Sequence, residues 1–353
     1  DLIAGAWMPL TLFEHRDGTL VDATAAAGLE HTVGWWNSLA SGDFDRDGDT
    51  DYLAGNLGKN TKFEASSAEP VRVYAKDFDQ NGRVDPVITR YIEGTEYPVA
   101  PLNQLVKQIP GMDYRFSSFS SYAAATFEDV FRDGELEGAY TSAATHFASS
   151  YLENRGDSTL AVRPLPLRAQ FAPVHGMASG DYNGDGHLDA LLVGNAHTRG
   201  TLSGWYDAMV GLLLRGDGAG GFEAVNYAQS GFFVDGDAKA LATVASASGP
   251  PLVVASQTDG PLKAFVQRRG AVRTERLRPS DQYALLTFAD GTTRRHEFHY
   301  GATYLSQSAR VLRLPPSVVE AVVVDRQGRR RTLKLDAATS SLTGRSDRAG
   351  QEE

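Results

Sequence analysis

Residues 41–53 read SGDFDRDGDTDYL, in which aspartate occupies every second position from Asp43 to Asp51 before an apolar run. In a tight loop of this kind, carboxylates at positions 1, 3 and 5 converge on one point, and position 7 supplies its backbone carbonyl. The Gly at position 6 allows the sharp turn. The stretch therefore predicts a calcium-binding loop that leads into a β-strand.

The same pattern recurs twice later in the chain. Residues 76–87 read KDFDQNGRVDPV, and residues 180–191 read GDYNGDGHLDAL. Each copy has an aromatic residue at loop position 2, Gly at position 6, Asp at position 9 and a strand-like run after it. We name the copies loop 1 (residues 43–51), loop 2 (77–85) and loop 3 (181–189). The predicted metal ligands are side-chain oxygens and position-7 carbonyls from Asp43, Asp45, Asp47, Asp49 and Asp51; Asp77, Asp79, Asn81, Arg83 and Asp85; and Asp181, Asn183, Asp185, His187 and Asp189.

Calcium is the metal that these loops suit best. An EF-hand is excluded, because position 12 is Ala54, Ile88 or Leu192 instead of a bidentate Glu, and each lies in a strand-like run. Magnesium is less favoured, because it takes few carboxylates and keeps its waters. The alternative is a metal-free Asp/Asn/Gly turn. Three loops in register favour about three Ca²⁺ ions, since unneutralised carboxylates so close together would repel one another.

The composition suits a cation-binding protein. The 353 residues carry a formal net charge of −10, which argues against nucleic-acid binding because such binding needs a basic surface. The absence of cysteine excludes thiolate metal sites, thiol nucleophiles and disulfides. No apolar run has transmembrane length. The sequence opens in mid-pattern at Asp1 without a visible signal peptide, so we expect native sequence upstream.

The Asp loops alternate with short apolar runs and Gly-rich hairpins, which predicts an all-β fold. One repeat comprises about four strands with the Asp loop between the first two, as in the blades of a β-propeller. We assign residues 1–270 to such blades and residues 271–337 to a small β domain, with a disordered tail at 338–353. Residues 230–268 indicate a degenerate repeat, in which 236–241 takes the place of an Asp loop without its ligands.

The spacing between loops 2 and 3 leaves an excess at about residues 93–147. Apolar residues in 101–109 and 122–131 recur at helical spacing, and serines before the second segment can cap it. We therefore predict a helical insertion on one blade. Such insertions often lie over one face of a domain and carry recognition.

Other residues offer weaker candidates for function. Trp35-Trp36 and Trp205-Tyr206 are consistent with a sugar-stacking platform, although aromatic pairs at strand starts usually belong to the core. The histidines that could suggest a base or a metal site, without metal-ligand spacing, are His146, His175, His187 and His197. His187 lies inside loop 3, where we expect it to point outward. No nucleophile, Walker or dinucleotide motif is present, so we assign no catalytic residue.

Together with the Asp loops, LVGN at residues 192–195 and GDGAGGF at 216–222 resemble the FG-GAP/VCBS repeat, the calcium-binding blade of integrin α-subunit-like β-propellers. The resemblance covers about residues 1–268. YGATYLSQSAR at 300–310, before a Val-rich hairpin, looks like the ASPIC/UnbV module, which often follows such propellers in bacterial surface proteins. The recognisable blades are too few for the ring that the resemblance implies, so we expect upstream sequence to complete it.

The resemblance implies a secreted or surface-attached, calcium-stabilised binding protein without established catalysis. Our leading hypothesis is an extracellular or outer-membrane-surface module that binds a protein or a glycan. The first alternative is a calcium-dependent polysaccharide lyase or hydrolase, which would need an ion in an open groove beside a basic residue. The second alternative is a structural piece of a larger outer-membrane assembly.

Overall fold

The computed structural model describes most of the chain. Strands dominate it and the helices are short, which confirms the predicted all-β class. No helix in the described part of the chain is long and apolar enough to cross a membrane. The described residues are 2–132, 134–197, 204–246, 251–268, 273–300 and 306–335. The predicted tail at 338–353 lies outside these ranges.

The secondary structure consists of many short strands. The strands as far as loop 3 are β1 (Leu2–Ala4), β2 (Trp7–Met8), β3 (Thr11–Arg16), β4 (Thr19–Asp22), β5 (Gly34–Trp35), β6 (Ser38–Gly42), β7 (Asp51–Gly55), β8 (Val71–Lys76), β9 (Asp85–Ile92), β10 (Thr95–Pro98), β11 (Tyr140–Ala144), β12 (Ser150–Asn154), β13 (Leu160–Pro164) and β14 (Val174–Gly180). The later strands are β15 (Asp189–Gly194), β16 (Leu212–Gly216), β17 (Phe222–Val225), β18 (Ala238–Val244), β19 (Leu252–Gln257), β20 (Lys263–Val266), β21 (Arg273–Arg276), β22 (Asp281–Phe288), β23 (Thr293–Glu297), β24 (Val311–Leu314), β25 (Val318–Asp325) and β26 (Arg330–Thr332). The helices are α1 (Leu102–Gln108), α2 (Met112–Arg115), α3 (Phe119–Ala123), α4 (Phe127–Val130) and α5 (Tyr227–Ser230), with a 3₁₀ helix at Leu167–Gln170.

Each Asp loop closes an antiparallel hairpin in a four-stranded sheet. Sheet 1 has the strand order β13-β12-β7-β6, sheet 2 has β10-β9-β8-β11, and sheet 3 has β14-β15-β16-β17. In each sheet the residue before the loop pairs with the Asp at loop position 9: Gly42 with Asp51, Lys76 with Asp85, and Gly180 with Asp189. The loops therefore share one register. Ahead of them, the chain forms a sheet β1-β3-β4 and a ribbon β2-β5.

Sheet 2 interrupts sheet 1 in the sequence. Strands β7 and β12 are hydrogen-bonded neighbours, with Ala54 opposite Ser150. Residues 56–149 therefore leave and re-enter sheet 1 between two adjacent strands. Sheet 2 and helices α1–α4 are built from this segment, and the helices fall inside the predicted insertion at about 93–147.

The helices of the insertion pack on sheet 2 through one apolar core. Phe127 of α4 is buried in a cluster with Val87 of β9. The predicted helical run at 122–131 is broken, because the Thr126 and Asp129 side chains form a capping box that begins α4 as a new helix. The insertion is thus a stack of short helical turns and not two regular helices.

Sheets 1 and 3 and the three-stranded sheet 4 (β18-β19-β20) lie side by side through their first strands. Ser179 Oγ on β14 donates to the Ser41 carbonyl on β6 at 2.9 Å. Gly176 of β14 approaches β18 so closely that a Cβ would lie 2.8 Å from the Leu241 nitrogen. Residues 238–241 of the predicted degenerate loop belong to β18 instead, because Ala238 and Leu241 are buried between sheets 3 and 4. The core between sheets 1 and 3 includes Phe44, Leu53, Tyr151, Met177, Leu192 and Leu214.

The strands after residue 272 form a separate β unit, which we name the C-terminal module. Its sheets are β23-β22-β25-β26 and β21-β24, and its own core includes Leu286, Phe288 and Leu312. Tight turns join β22 to β23 and β25 to β26. Gly291 and Gly328 adopt φ angles of 84° and 74° in these turns, which suits glycine because it has no Cβ.

Candidate metal centre

The three Asp loops share a hydrogen-bonded frame. In each, the backbone N–H at position 2 donates to the carboxylate at position 9, which closes the loop onto the first residue of the second strand. These N–H to Oδ2 contacts join Phe44 to Asp51 at 3.0 Å, Phe78 to Asp85 at 3.0 Å and Tyr182 to Asp189 at 2.9 Å. The frame explains why Asp occurs at position 9 in all three copies.

The position-9 carboxylate also ties loops 1 and 3 to the third strand of their sheets. Asp51 Oδ1 accepts from the Asn154 N–H at 2.8 Å, and Asp189 Oδ1 accepts from the Gly216 N–H at 3.1 Å. The Tyr151 hydroxyl donates to Asp51 Oδ2 at 2.9 Å. Burial raises the pKa of Asp51 to about 7 and that of Asp189 to about 6. Position 9 therefore has a structural role in addition to its predicted role as a ligand.

Loop 1 brings three carboxylates together. Asp43, Asp45 and Asp47 each offer an oxygen, and these oxygens lie within 4.8 Å of one another. Asp43 is only 1% exposed. Its Oδ2 accepts from the Arg295 N–H at 3.0 Å, whereas its buried Oδ1 makes no hydrogen bond of normal geometry among the described residues, although the Gly48 N–H lies close enough to the carboxylate to oppose the rise in its pKa. Burial, helped by the charges of Asp47 and Asp45, raises the pKa of Asp43 to about 6.

The donor set of loop 1 fits a hard cation. A buried carboxylate oxygen without a donor costs free energy, and a neighbouring pair of carboxylates increases that cost. A bound Ca²⁺ would remove both penalties, because it takes carboxylate oxygens as ligands. The unpartnered Asp43 oxygen is therefore the strongest sign of a metal site in this part of the molecule.

Loop 2 gathers Asp77, Asp79 and Asp85 within the same 4.8 Å limit. Its frame is local, since Asp77 accepts from the N–H groups of Asn81 at 2.9 Å and Gly82 at 2.8 Å. Residues 80–84 at the tip are exposed. The tip of loop 2 is thus open to solvent.

Loop 3, like loop 2, bonds its carboxylates to groups within the loop itself. Asp181 accepts from the N–H groups of Gly184 at 2.6 Å and Gly186 at 2.9 Å. Asp185 accepts from the His187 N–H at 2.9 Å and from the Asn183 amide at 2.7 Å. Within the described residues, the acids of loop 3 do not form a cluster like those of loops 1 and 2. The predicted calcium site of loop 3 stays a prediction.

The position-7 carbonyls of Asp49, Arg83 and His187 also stay predicted ligands. The His187 ring packs on the turn between β16 and β17, where a Cβ on Gly218 would lie 2.0 Å from Nδ1. Its Nδ1 is buried, so the ring does not extend freely into solvent as the sequence suggests.

The aromatic pairs considered as a sugar platform separate in the structure. Trp36 is buried and its Nε1 donates to the Thr32 carbonyl at 2.9 Å, and Tyr206 is also buried. Trp205 is 65% exposed and stacks on His197, with ring centroids 4.9 Å apart. Trp36 and Tyr206 therefore belong to the core, and Trp205 is the exposed member.

A cavity of about 890 Å³ lies between loops 1 and 3 and the C-terminal module. Asp43 and Asp181 line one side, and Arg294, His296 and Arg313 line the other. His296 lines the cavity, but burial lowers its pKa to about 3. The positive charges of Arg294 and other basic neighbours lower this pKa further. The cavity thus has acidic residues of loops 1 and 3 on one side, and two arginines with the neutral His296 imidazole on the other.

The contacts from the C-terminal module are the part of the site that the sequence does not predict. Arg294 and Arg295 lie on β23, an edge strand of the module. Two adjacent arginines in a short strand are the sequence signal here, and they carry no motif.

No family model matches the chain, and no curated protein matches it.

Proposed function

We propose that this chain is a calcium-stabilised extracellular binding protein, built from FG-GAP/VCBS-type β-propeller blades with an ASPIC/UnbV-like C-terminal module. One observation carries the calcium part. The buried Asp43 Oδ1 makes no hydrogen bond of normal geometry in the described structure and lies beside Asp45 and Asp47. The buried Asp43 carboxylate, flanked by those of Asp45 and Asp47, favours a bound cation, and the hard oxygen ligands favour Ca²⁺.

The packing of the sheets supports the propeller part of the proposal. Strands β6, β14 and β18 are each the first strand of a sheet and lie side by side. The inner strands of neighbouring propeller blades have this arrangement. A closed ring would need further blades in addition to sheets 1, 3 and 4.

Isothermal titration of the chelator-treated protein with CaCl₂ tests the calcium part. We expect about three sites, and Asp45→Ala should remove one of them. Asn60→Ala, a change at an exposed residue outside the loops, should leave the stoichiometry unchanged. The absence of calcium binding at millimolar concentration would contradict the proposal.

The partner we propose is a protein or glycan at the cell surface. The insertion supports this, because Tyr114, Phe119 and Tyr140 are 92%, 67% and 66% exposed. Large exposed aromatic side chains are typical of recognition surfaces, since they offer apolar area with few rotatable bonds. A polysaccharide array tests the glycan form of this proposal. Tyr114→Ala with Phe119→Ala should abolish binding, and Leu167→Ala, at a 70% exposed position, should not.

A calcium-dependent polysaccharide lyase is the alternative, and one observation favours it. Asp43 and Asp181 line the same cavity as His296, which would place a loop cation near a candidate base. The lowered pKa of His296, about 3, argues against it because so weak a base removes protons poorly at neutral pH. Release of unsaturated products from an acidic polysaccharide, lost in Asp181→Ala, would favour the enzyme over the binding protein.

A further inference from the structure

The C-terminal module rests directly on two of the three Asp loops. The Arg295 N–H donates to Asp43 in loop 1 at 3.0 Å, and Arg294 Nη1 donates to the Gly186 carbonyl in loop 3 at 3.0 Å. Arg46, at position 4 of loop 1, donates to the same Gly186 carbonyl at 3.1 Å. One small set of contacts therefore joins loop 1, loop 3 and the module.

An aromatic ring of the module strengthens this junction. The guanidinium carbons of Arg46 and Arg294 lie 4.4 Å and 5.0 Å from the centre of the Phe288 ring. Arg46 also pairs with Asp290 of the module at 3.6 Å. Phe288 is buried, so these cation–π contacts form away from water, where they are strongest.

Asp43 belongs to both sides of the junction. Its Oδ2 accepts the hydrogen bond from the module, whereas its buried Oδ1 makes none of normal geometry. The Asp43 carboxylate also contributes an oxygen to the cluster with Asp45 and Asp47. A cation bound to Asp43, Asp45 and Asp47 would neutralise the negative charge against which the C-terminal module packs. The Arg295 amide would in turn hold the Asp43 carboxylate in one orientation, as outer partners of metal ligands do.

We propose that cation binding in loop 1 is thermodynamically linked to docking of the C-terminal module, which also bonds loop 3 through Gly186, whereas loop 2 is an independent site. The proposal rests on the calcium binding proposed above. Linkage is reciprocal: if the ion strengthens docking, docking strengthens ion binding by the same factor. Loop 2 stands apart because its tip is exposed and, over the described ranges, it has no hydrogen bond or ion pair to the module.

Hydrogen exchange on the unmodified 353-residue chain tests the linkage from the calcium side. Calcium should slow amide exchange in β22 and β25 of the module by at least about fivefold, the lower end of typical coupling. Asp45→Ala, which removes a loop-1 carboxylate, should abolish this protection. Asp79→Ala is the matched control at position 3 of loop 2, and it should leave the protection of the module intact.

Calorimetry tests the linkage from the module side. Arg294→Met keeps the apolar stem of the side chain but removes its hydrogen bond to the Gly186 carbonyl. Calcium binding to loop 1, the site linked to the module, should therefore weaken at least about fivefold, while the loop-2 site keeps its affinity. Arg329→Met is the control, since Arg329 pairs with Asp325 at the turn between β25 and β26 of the module. Far-UV circular dichroism shows whether each variant still folds.

Three outcomes would overturn the linkage, and they can be told apart. Calcium binding without any change in exchange of the module would overturn the linkage alone. The absence of calcium binding to the unmodified chain would overturn both the linkage and the proposed function. Equal effects of Asp45→Ala and Asp79→Ala on the module would also overturn it, because loop 2 would then not be independent.

Discussion

The backbone N–H of Arg295 donates a hydrogen bond to Oδ2 of Asp43 at 3.0 Å, although the two residues are 252 positions apart. Asp43 opens loop 1, and Arg295 lies on an edge strand of the C-terminal module. Every second N–H group along an edge strand points away from its own sheet, so the N–H of Arg295 is free to bond a loop carboxylate. Changes in the Asp loops should therefore reach the module.

Removal of calcium should lower the thermal stability of the protein. An ion that binds only the folded state stabilises it by about 2.7 kcal/mol per site at a concentration 100-fold above Kd. We expect a lower Tm in EDTA and recovery with excess CaCl₂, measured by differential scanning calorimetry. Recovery with MgCl₂ alone would contradict the preference for calcium, and an unchanged Tm in EDTA would contradict a stabilising ion.

Tyr151→Phe should destabilise the protein more than a typical loss of a hydroxyl. Tyr151 is buried and donates to the Asp51 carboxylate at 2.9 Å. A hydrogen bond to a charged group contributes about 1.5–3 kcal/mol, against about 0.5–1.5 kcal/mol for a neutral pair. The control is Tyr122→Phe, whose hydroxyl donates to the Ala100 carbonyl at 2.7 Å. Urea unfolding at about pH 9, where Asp51 with its pKa of about 7 is ionised, measures both, and a smaller loss for Tyr151→Phe would contradict the charged pairing.

Without calcium, Asp51 should make the protein less stable as pH rises. Burial raises the pKa of Asp51 in the folded state to about 7, from 3.8. Between these values the folded state binds more protons than the unfolded state, so the free energy of unfolding falls with increasing pH. We expect the stability of the unmodified chain relative to Asp51→Asn to fall from pH 4 to pH 7 in EDTA. Urea unfolding at several pH values measures this difference, and a rise would contradict it.

Asn195→Ala should be strongly destabilising. Asn195 is fully buried, its amide nitrogen donates to the carbonyls of Met209 at 2.7 Å and Gly236 at 3.0 Å, and its oxygen accepts from the Met209 N–H at 3.0 Å. Each buried group left without a partner costs about 1–3 kcal/mol. Asn60→Ala, at an exposed site, should change the free energy of unfolding by less than about 0.5 kcal/mol. Similar losses for both variants, measured in urea, would contradict this role.

The local features of the fold could be predicted from the sequence because they depend on neighbouring residues. The pairing of Gly42 with Asp51 follows from the loop itself, and so does its repetition at loops 2 and 3. The break at Thr126 was missed, because helical spacing does not reveal that a threonine side chain caps a new turn. The loop-like segment at 236–241 was misplaced, since Gly236-Asp237 resembles a loop start while Ala238 and Leu241 belong to the core.

The contacts that surround the candidate site could not be predicted. Asp51 takes its hydroxyl partner from Tyr151, and Asp43 takes an amide from the C-terminal module. Both partners are set by how whole sheets pack and not by any local pattern. The separation of the loop-3 acids was also missed, because the sequences of the three loops are nearly equivalent, although only loops 1 and 2 bring three acids together among the described residues.

The interruption of sheet 1 by residues 56–149 bears on how the chain acquires its structure during synthesis. Strands β6 and β7 leave the ribosome well before β12, which pairs with β7 through Ala54 and Ser150. Until then the edge of β7 is open to aberrant pairing, as unpaired edges are. The inserted segment contains its own sheet and apolar core, so it can fold first. The nascent chain then completes sheet 1 late, through a long-range contact of the kind that slows folding.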